Sequence, residues 1–208
     1  MKLSLAILAG LALAGNAVAA PLVERATMAA DIIAAIAPKS KSCAGRGDEC
    51  MTNVQIAGPF VAAMNQYDLK YPAQIAAVLA LTAFESDEYG YNRNQFPGRP
   101  GQGTSNMQMI DYNVKYAESI PALKDKVAAI GDPSTDDKKN QVLDLVTDVN
   151  YNFGSGPWFL STQCSKDVVE GLKVATDAAF AAYMGCVGVE ATADRTAYWT
   201  AAKTAFGL

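Results

Sequence analysis

The sequence predicts a mainly α-helical domain built round one buried helix, with a long irregular loop behind it. Three observations carry this. From Ala73 to Phe84 the chain is almost wholly apolar, directly after Tyr71-Pro72. Helix-start signals recur along the chain, and strand signals are weak. Residues 87–106, DEYGYNRNQFPGRPGQGTSN, are rich in Gly, Asn, Pro and aromatics and show no periodicity.

Met1-Lys2 is a short basic start, Leu3–Leu13 an apolar run and Ala17-Val18-Ala19 a small-residue exit. This pattern is a signal peptide over residues 1–20, and the apolar run is too short to span a bilayer. A secreted, extracellular protein is therefore expected. Residues 21–42 are expected to be an N-terminal extension or short helix, with Ile32, Ile33 and Ile36 on one side of Ala26–Ala37 and Pro38 as its stop. The remaining 43–208 is one domain. Asn53–Tyr67 has helical spacing disturbed by Gly58-Pro59. Pro72 opens the apolar helix, since proline suits a first helical position. A helix apolar on all sides is a buried central helix. Ser134-Thr135-Asp136-Asp137 matches a capping box before Val142, Leu143, Val146 and Val149. Ser165 opens a run through Phe180 that ends at Gly185, and Thr192 opens a last helix with Trp199 and Phe206.

The formal net charge is −4 at pH 7, and loss of Lys2 with the leader makes it more negative. An acidic chain with no basic block is a poor nucleic-acid binder. No interaction with a membrane is expected, and a monomer is. There are four cysteines and no histidine. An even cysteine count in an exported chain reads as disulfides, and the sequence-local pairs Cys43–Cys50 and Cys164–Cys186 are favoured. Without histidine, Ser-His-Asp and Cys-His catalysis and histidine-ligated zinc sites are excluded. No metal or other cofactor is expected, and carboxylates remain as the natural catalytic groups.

Glu85 ends the apolar helix. Burial raises a carboxylic acid's pKa toward neutrality, and the helix C-terminus adds to this. Such a residue is a candidate proton donor for glycoside cleavage. The loop behind it offers Tyr89, Tyr91 and Phe96 for stacking on sugar faces, and Asn92, Asn94, Gln102 and Asn106 for hydrogen bonds. Asp87, Glu88 and Asp111 are candidates for a second carboxylate. No acidic residue lies between Tyr89 and Ile110, so a mechanism with one glutamate is also open.

Four segments occur in one order over roughly residues 75–190. Ala83-Phe84-Glu85-Ser86 resembles the catalytic A-x-E-S of glycoside hydrolase family 23, the lytic transglycosylases and goose-type lysozymes. Gly103-Thr104-Ser105-Asn106-Met107-Gln108-Met109 resembles that family's G-x-x-G-L-M-Q. Asn150–Gly154 with Trp158-Phe159-Leu160 resembles its N-I-x-x-G-x-x-Y-L helix, and Ala181–Gly188 its A-Y-N-A-G-x-G segment. The chain also looks like a group of secreted fungal proteins carrying F-E-S, F-P-G-R-P-G-Q-G-T and N-M-Q. The resemblance implies a lysozyme-like fold and a muramidase acting on peptidoglycan, with Glu85 as general acid/base. Chitin oligomers are the alternative substrate, and a non-catalytic glycan-binding or effector protein the alternative function. The resemblance also implies that Ser86, Tyr91, Asn106, Gln108 and Tyr183 bind substrate or stand beside it.

Overall fold

The computed structural model describes residues 22–208, so the expected signal peptide at 1–20 lies outside the described residues. The order is α1 (Leu22–Ile36), a 3-10 turn (Pro38–Lys41), α2 (Asn53–Gln66), α3 (Pro72–Glu85), α4 (Ile110–Ser119), α5 (Pro121–Ile130) and α6 (Asp136–Val146). Then come α7 (Val149–Asn152), α8 (Ser155–Gln163), α9 (Lys166–Gly171), α10 (Asp177–Val187) and α11 (Ala193–Phe206). The protein is mainly helical. Among the described residues the only β pairings are the isolated bridges Arg93–Gly103 and Gly103–Gln108.

α3 is the buried helix expected. Pro72 stands in its first turn, and every residue from Ala73 to Ala83 except Ile75 is buried. α11 packs against it more extensively than any other helix, while α1 packs on α2 and α11. Ile33, Ile36, Ile56, Phe60, Leu81, Tyr183 and Trp199 join this first core. Burying an aliphatic side chain of this size contributes roughly 1.5–3 kcal/mol. A second core gathers Tyr116, Leu123, Val142, Leu143, Trp158 and Phe159 from α4, α5, α6 and α8. The segment read as an N-terminal extension or short helix is thus a full helix whose Ile33 and Ile36 belong to the core.

Other boundaries differ from the sequence reading. Thr135, not Ser134, caps α6 by accepting a bond from the Lys138 amide. The run from Ser165 to Gly185 is two helices, because Thr176 makes a new cap on the Ala179 amide. α4 and α5 were not anticipated. Their apolar positions are sparse, and Pro121 restarts the chain in the first turn of α5.

Gly58 and Pro59 do not break α2, which runs through both. Glycine in a helix interior costs about 1 kcal/mol relative to alanine, and proline about 3 kcal/mol. Nothing lies within 4 Å of where a Gly58 side chain would begin. Gly58→Ala should therefore raise stability by about 0.5–1 kcal/mol. A higher urea midpoint at unchanged slope would show it, and a lower midpoint would contradict it.

Both expected disulfides are present, Cys43–Cys50 and Cys164–Cys186. The second ties the residue after α8 to α10. Such links are at home in oxidising compartments. Among the described residues no helix is long and apolar enough to cross a membrane.

Candidate active site

The site is built outward from the end of α3. Ser86 closes the helix: its hydroxyl donates to the Thr82 carbonyl at 2.6 Å and accepts from the Tyr89 amide at 2.8 Å. Asp87, Glu88 and Tyr89 then take positive φ values of 48°, 56° and 64° in succession. Each non-glycine residue in this region costs of order 1–2 kcal/mol, so a run of them needs support from outside.

That support comes from the segment around Cys43–Cys50 and from α11. The buried Glu88 accepts the Lys39 amide at 2.6 Å and the Tyr198 hydroxyl at 2.9 Å. Lys39 Nζ reaches Asp87 at 2.7 Å. The Arg46 guanidinium donates to the carbonyls of Lys39 (3.1 Å), Glu88 (3.2 Å) and Asp87. A side chain at Gly90 would come within 2.4 Å of Arg46 Nη2, so only glycine leaves room for this clamp.

The loop behind the clamp is ordered by its own bonds. Glu49 accepts the amides of Asn92 and Arg93 at 2.8 and 3.1 Å. Asn94 accepts those of Gly98 and Arg99 at 2.8 and 3.1 Å. Asn106 Oδ1 accepts the hydroxyls of Thr104 (2.8 Å) and Ser155 (2.7 Å), which orients its Nδ2 toward Gln108 Oε1 at 3.3 Å. Gln108 donates in turn to Asn113 at 2.8 Å. Gln102 donates to the Met107 carbonyl at 3.0 Å, and its own Oε1 is buried without a partner.

Glu85, Gln102, Asn106, Gln108, Arg99 and Tyr112 line one cleft of about 260 Å³. Leu81 and Phe159 complete its walls, so it lies on the seam between the two cores. The Glu85 side chain is 19 % exposed. Its Oε1 accepts Arg195 Nη2 at 3.0 Å and Nε at 3.3 Å. The same guanidinium lies 4.5 Å over the Phe84 ring. Burial pushes the Glu85 carboxyl above its usual range, while the bond and charge of Arg195 pull it back without cancelling the shift. Tyr183 is fully buried and its hydroxyl has no partner. Burial and then the charge of Glu85 raise this phenol far above its ordinary range, so it stays protonated.

Two expected substrate contacts, Ser86 and Tyr91, are not among the residues lining the cleft. Ser86 does not line the cleft, because its hydroxyl is spent on the helix end. Tyr91 borders a separate small hollow with Ser86 and Asn92. Tyr183 is buried and does not line the cleft, but it stands near enough to Glu85 to feel its charge. Nor does any expected second carboxylate reach the cleft. Asp87 and Glu88 hold the clamp, and Asp111 is exposed in the first turn of α4. Among the described residues Glu85 is the only carboxylate lining the cleft.

Sequence reading missed Arg195 and Arg99. A signal for Arg195 existed: it is the third residue of a helix capped by Thr192, where the positive end of the helix dipole disfavours a cation. A buried anion nearby offsets that cost.

No family model matches the chain, and no solved structure matches it. Its sequence is 50% identical over 156 residues to a Fusarium oxysporum protein named bifunctional dioxygenase (DOX)-epoxy alcohol synthase (EAS). The match takes in 73% of this chain and 12% of that protein, so the chain spans about an eighth of its relative's length.

Proposed function

We propose that this protein is a secreted glycan-cleaving enzyme with a lysozyme-like helical scaffold and Glu85 as its general acid. The observation that carries the reading is the cleft itself. One half-buried carboxyl with a raised pKa shares it with the carboxamides of Gln102, Asn106 and Gln108. Burial favours the protonated form of this carboxyl, and a protonated carboxyl can donate to a glycosidic oxygen. Amides suit sugar hydroxyls and N-acetyl groups. Hydrolysis with inversion needs a second carboxylate across the bond to activate water, and the cleft offers none. The substrate's own N-acetyl or 6-hydroxyl group then serves as nucleophile, as in a lytic transglycosylase. Peptidoglycan is the leading substrate and chitin oligomers the alternative.

Incubation with bacterial walls and with chitooligosaccharides, followed by mass spectrometry, tests the reading. Fragments ending in a 1,6-anhydro sugar are expected from the walls. No fragments from either material would end the proposal.

The dioxygenase and synthase activities named for the relative are not carried over. This chain has no histidine, and its four cysteines are paired, so it offers neither imidazole nor free thiolate to a metal. A second reading draws on Arg195. A carboxylate held by an arginine is also what a structural ion pair looks like, and a binding protein without turnover would keep it.

Turnover separates the two readings, and where it is found, pH tests the role of Glu85. Arg195→Gln removes the groups that lower the Glu85 pKa. If Glu85 works as an acid, the protonated form then persists to higher pH, and the basic limb of the rate profile moves upward. A limb that stays in place or moves down would show that Glu85 is not the titrating acid.

A further inference from the structure

On another part of the molecule α2 and the segment at α7 border a groove of about 340 Å³, larger than the Glu85 cleft and sharing no lining residue with it. No charged side chain lines it. Its walls carry Tyr67 and Tyr151, with the carboxamides of Gln66 and Asn150 beside them. Gln66 donates through Nε2 to the Tyr67 hydroxyl at 3.4 Å and Asn150 through Nδ2 to Asp148 at 2.8 Å, and among the described residues neither amide oxygen has a partner.

The glycines of this groove are the telling residues. Gly154 has a packing cause, since a side chain there would meet the Tyr116 hydroxyl at 2.4 Å. That hydroxyl is held on the Tyr151 carbonyl at 2.7 Å, which fixes the wall. Gly58 has no such cause. It sits in the interior of α2, carries no positive φ, and faces open space. Glycine is a poor helix residue, and neither packing nor backbone conformation calls for it here. Its missing side chain leaves that part of the groove's lining open.

We propose that this groove is a second glycan site, which binds a neutral oligosaccharide without cleaving it. Aromatic faces with amide acceptors and no charge match the flat apolar faces and hydroxyl donors of a sugar. The groove has no acid or base, so it holds a chain and leaves chemistry to Glu85. A polymer bound there would be kept at the enzyme's surface between cuts. The inference takes its ligand class from the proposed glycan function, but binding in the groove does not require that Glu85 be catalytic.

The test is calorimetric titration of the whole protein with chitotetraose, comparing wild type with Gly58→Trp and Tyr151→Ala. Gly58→Trp fills open space and Tyr151→Ala removes one wall, so the two fail independently. Each should weaken one binding event by about tenfold, Tyr151→Ala by losing an aromatic contact and Gly58→Trp by occupying the space the ligand needs. Cleavage of a soluble oligosaccharide should be unchanged, while release from insoluble polymer should fall. Wild-type titration curves in both variants would overturn the proposal. If the protein cleaves nothing yet both variants lose the titration, the groove stands and the catalytic reading falls.

Discussion

Replacing Glu85 by glutamine is expected to lower glycan cleavage by about 10²–10⁴-fold, the usual contribution of a positioned general acid. Glutamine keeps the size and an acceptor for Arg195 but cannot give up a proton. The fold should survive, because the side chain is 19 % exposed and lies at a helix end. The rate of new reducing or anhydro ends, measured beside a thermal melt, separates the effects. A melt near wild type with cleavage lost assigns the proton to Glu85. Undiminished cleavage would remove Glu85 from the chemistry, and the amides alone would then have to explain the cleft.

The largest effect on stability is expected at Trp199. Its ring is fully buried and stacks on Phe180 at 5.0 Å between centroids, with 2° between planes. Its indole N–H donates to Asp177 at 2.9 Å. Trp199→Ala should cost about 3–5 kcal/mol, a large part of a typical domain's stability. α11 also carries Arg195 and Tyr198, so the variant should loosen Glu85 and Glu88 as well. Trp199→Phe keeps most of the packing and should cost much less. A urea series on both variants decides the matter, and equal costs would mean that the indole nitrogen, not the ring, holds the helix.

Much of the helical frame was legible because its causes are local. Pro72 with an unbroken apolar run predicts α3, and Thr192 predicts the start of α11. The disulfides followed from short separations along the chain. What was illegible depends on distant partners. Glu88 reads as a candidate second carboxylate and is instead buried away from the cleft, because Lys39 and Tyr198 come to meet it. Arg195 lies 110 residues from Glu85. The break between α9 and α10 is marked by Gly171 and by the cap Thr176, but the apolar spacing from Val168 to Phe180 runs across both. Gly58-Pro59 gave the opposite error: breaker residues stand in an unbroken helix because neighbouring helices hold it. Of the expected sugar contacts, Asn106 and Gln108 reached the cleft because their loop turns back on itself. Ser86 did not, because a helix end used its hydroxyl first.

The clamp on Asp87–Tyr89 sets an order of assembly. α3 closes its bonds among near neighbours, so it can form early. The side chains that clamp Asp87 and Glu88 arrive from more than forty residues away in sequence, Lys39 and Arg46 from upstream and Tyr198 from the last helix. Contacts of long separation form late, since the chain must first give up the freedom between their ends. A nascent chain that has not yet made α11 would thus leave its glutamate unframed and the apolar surface of α3 uncovered, because the same last helix serves both. Site and core are completed by one late arrival.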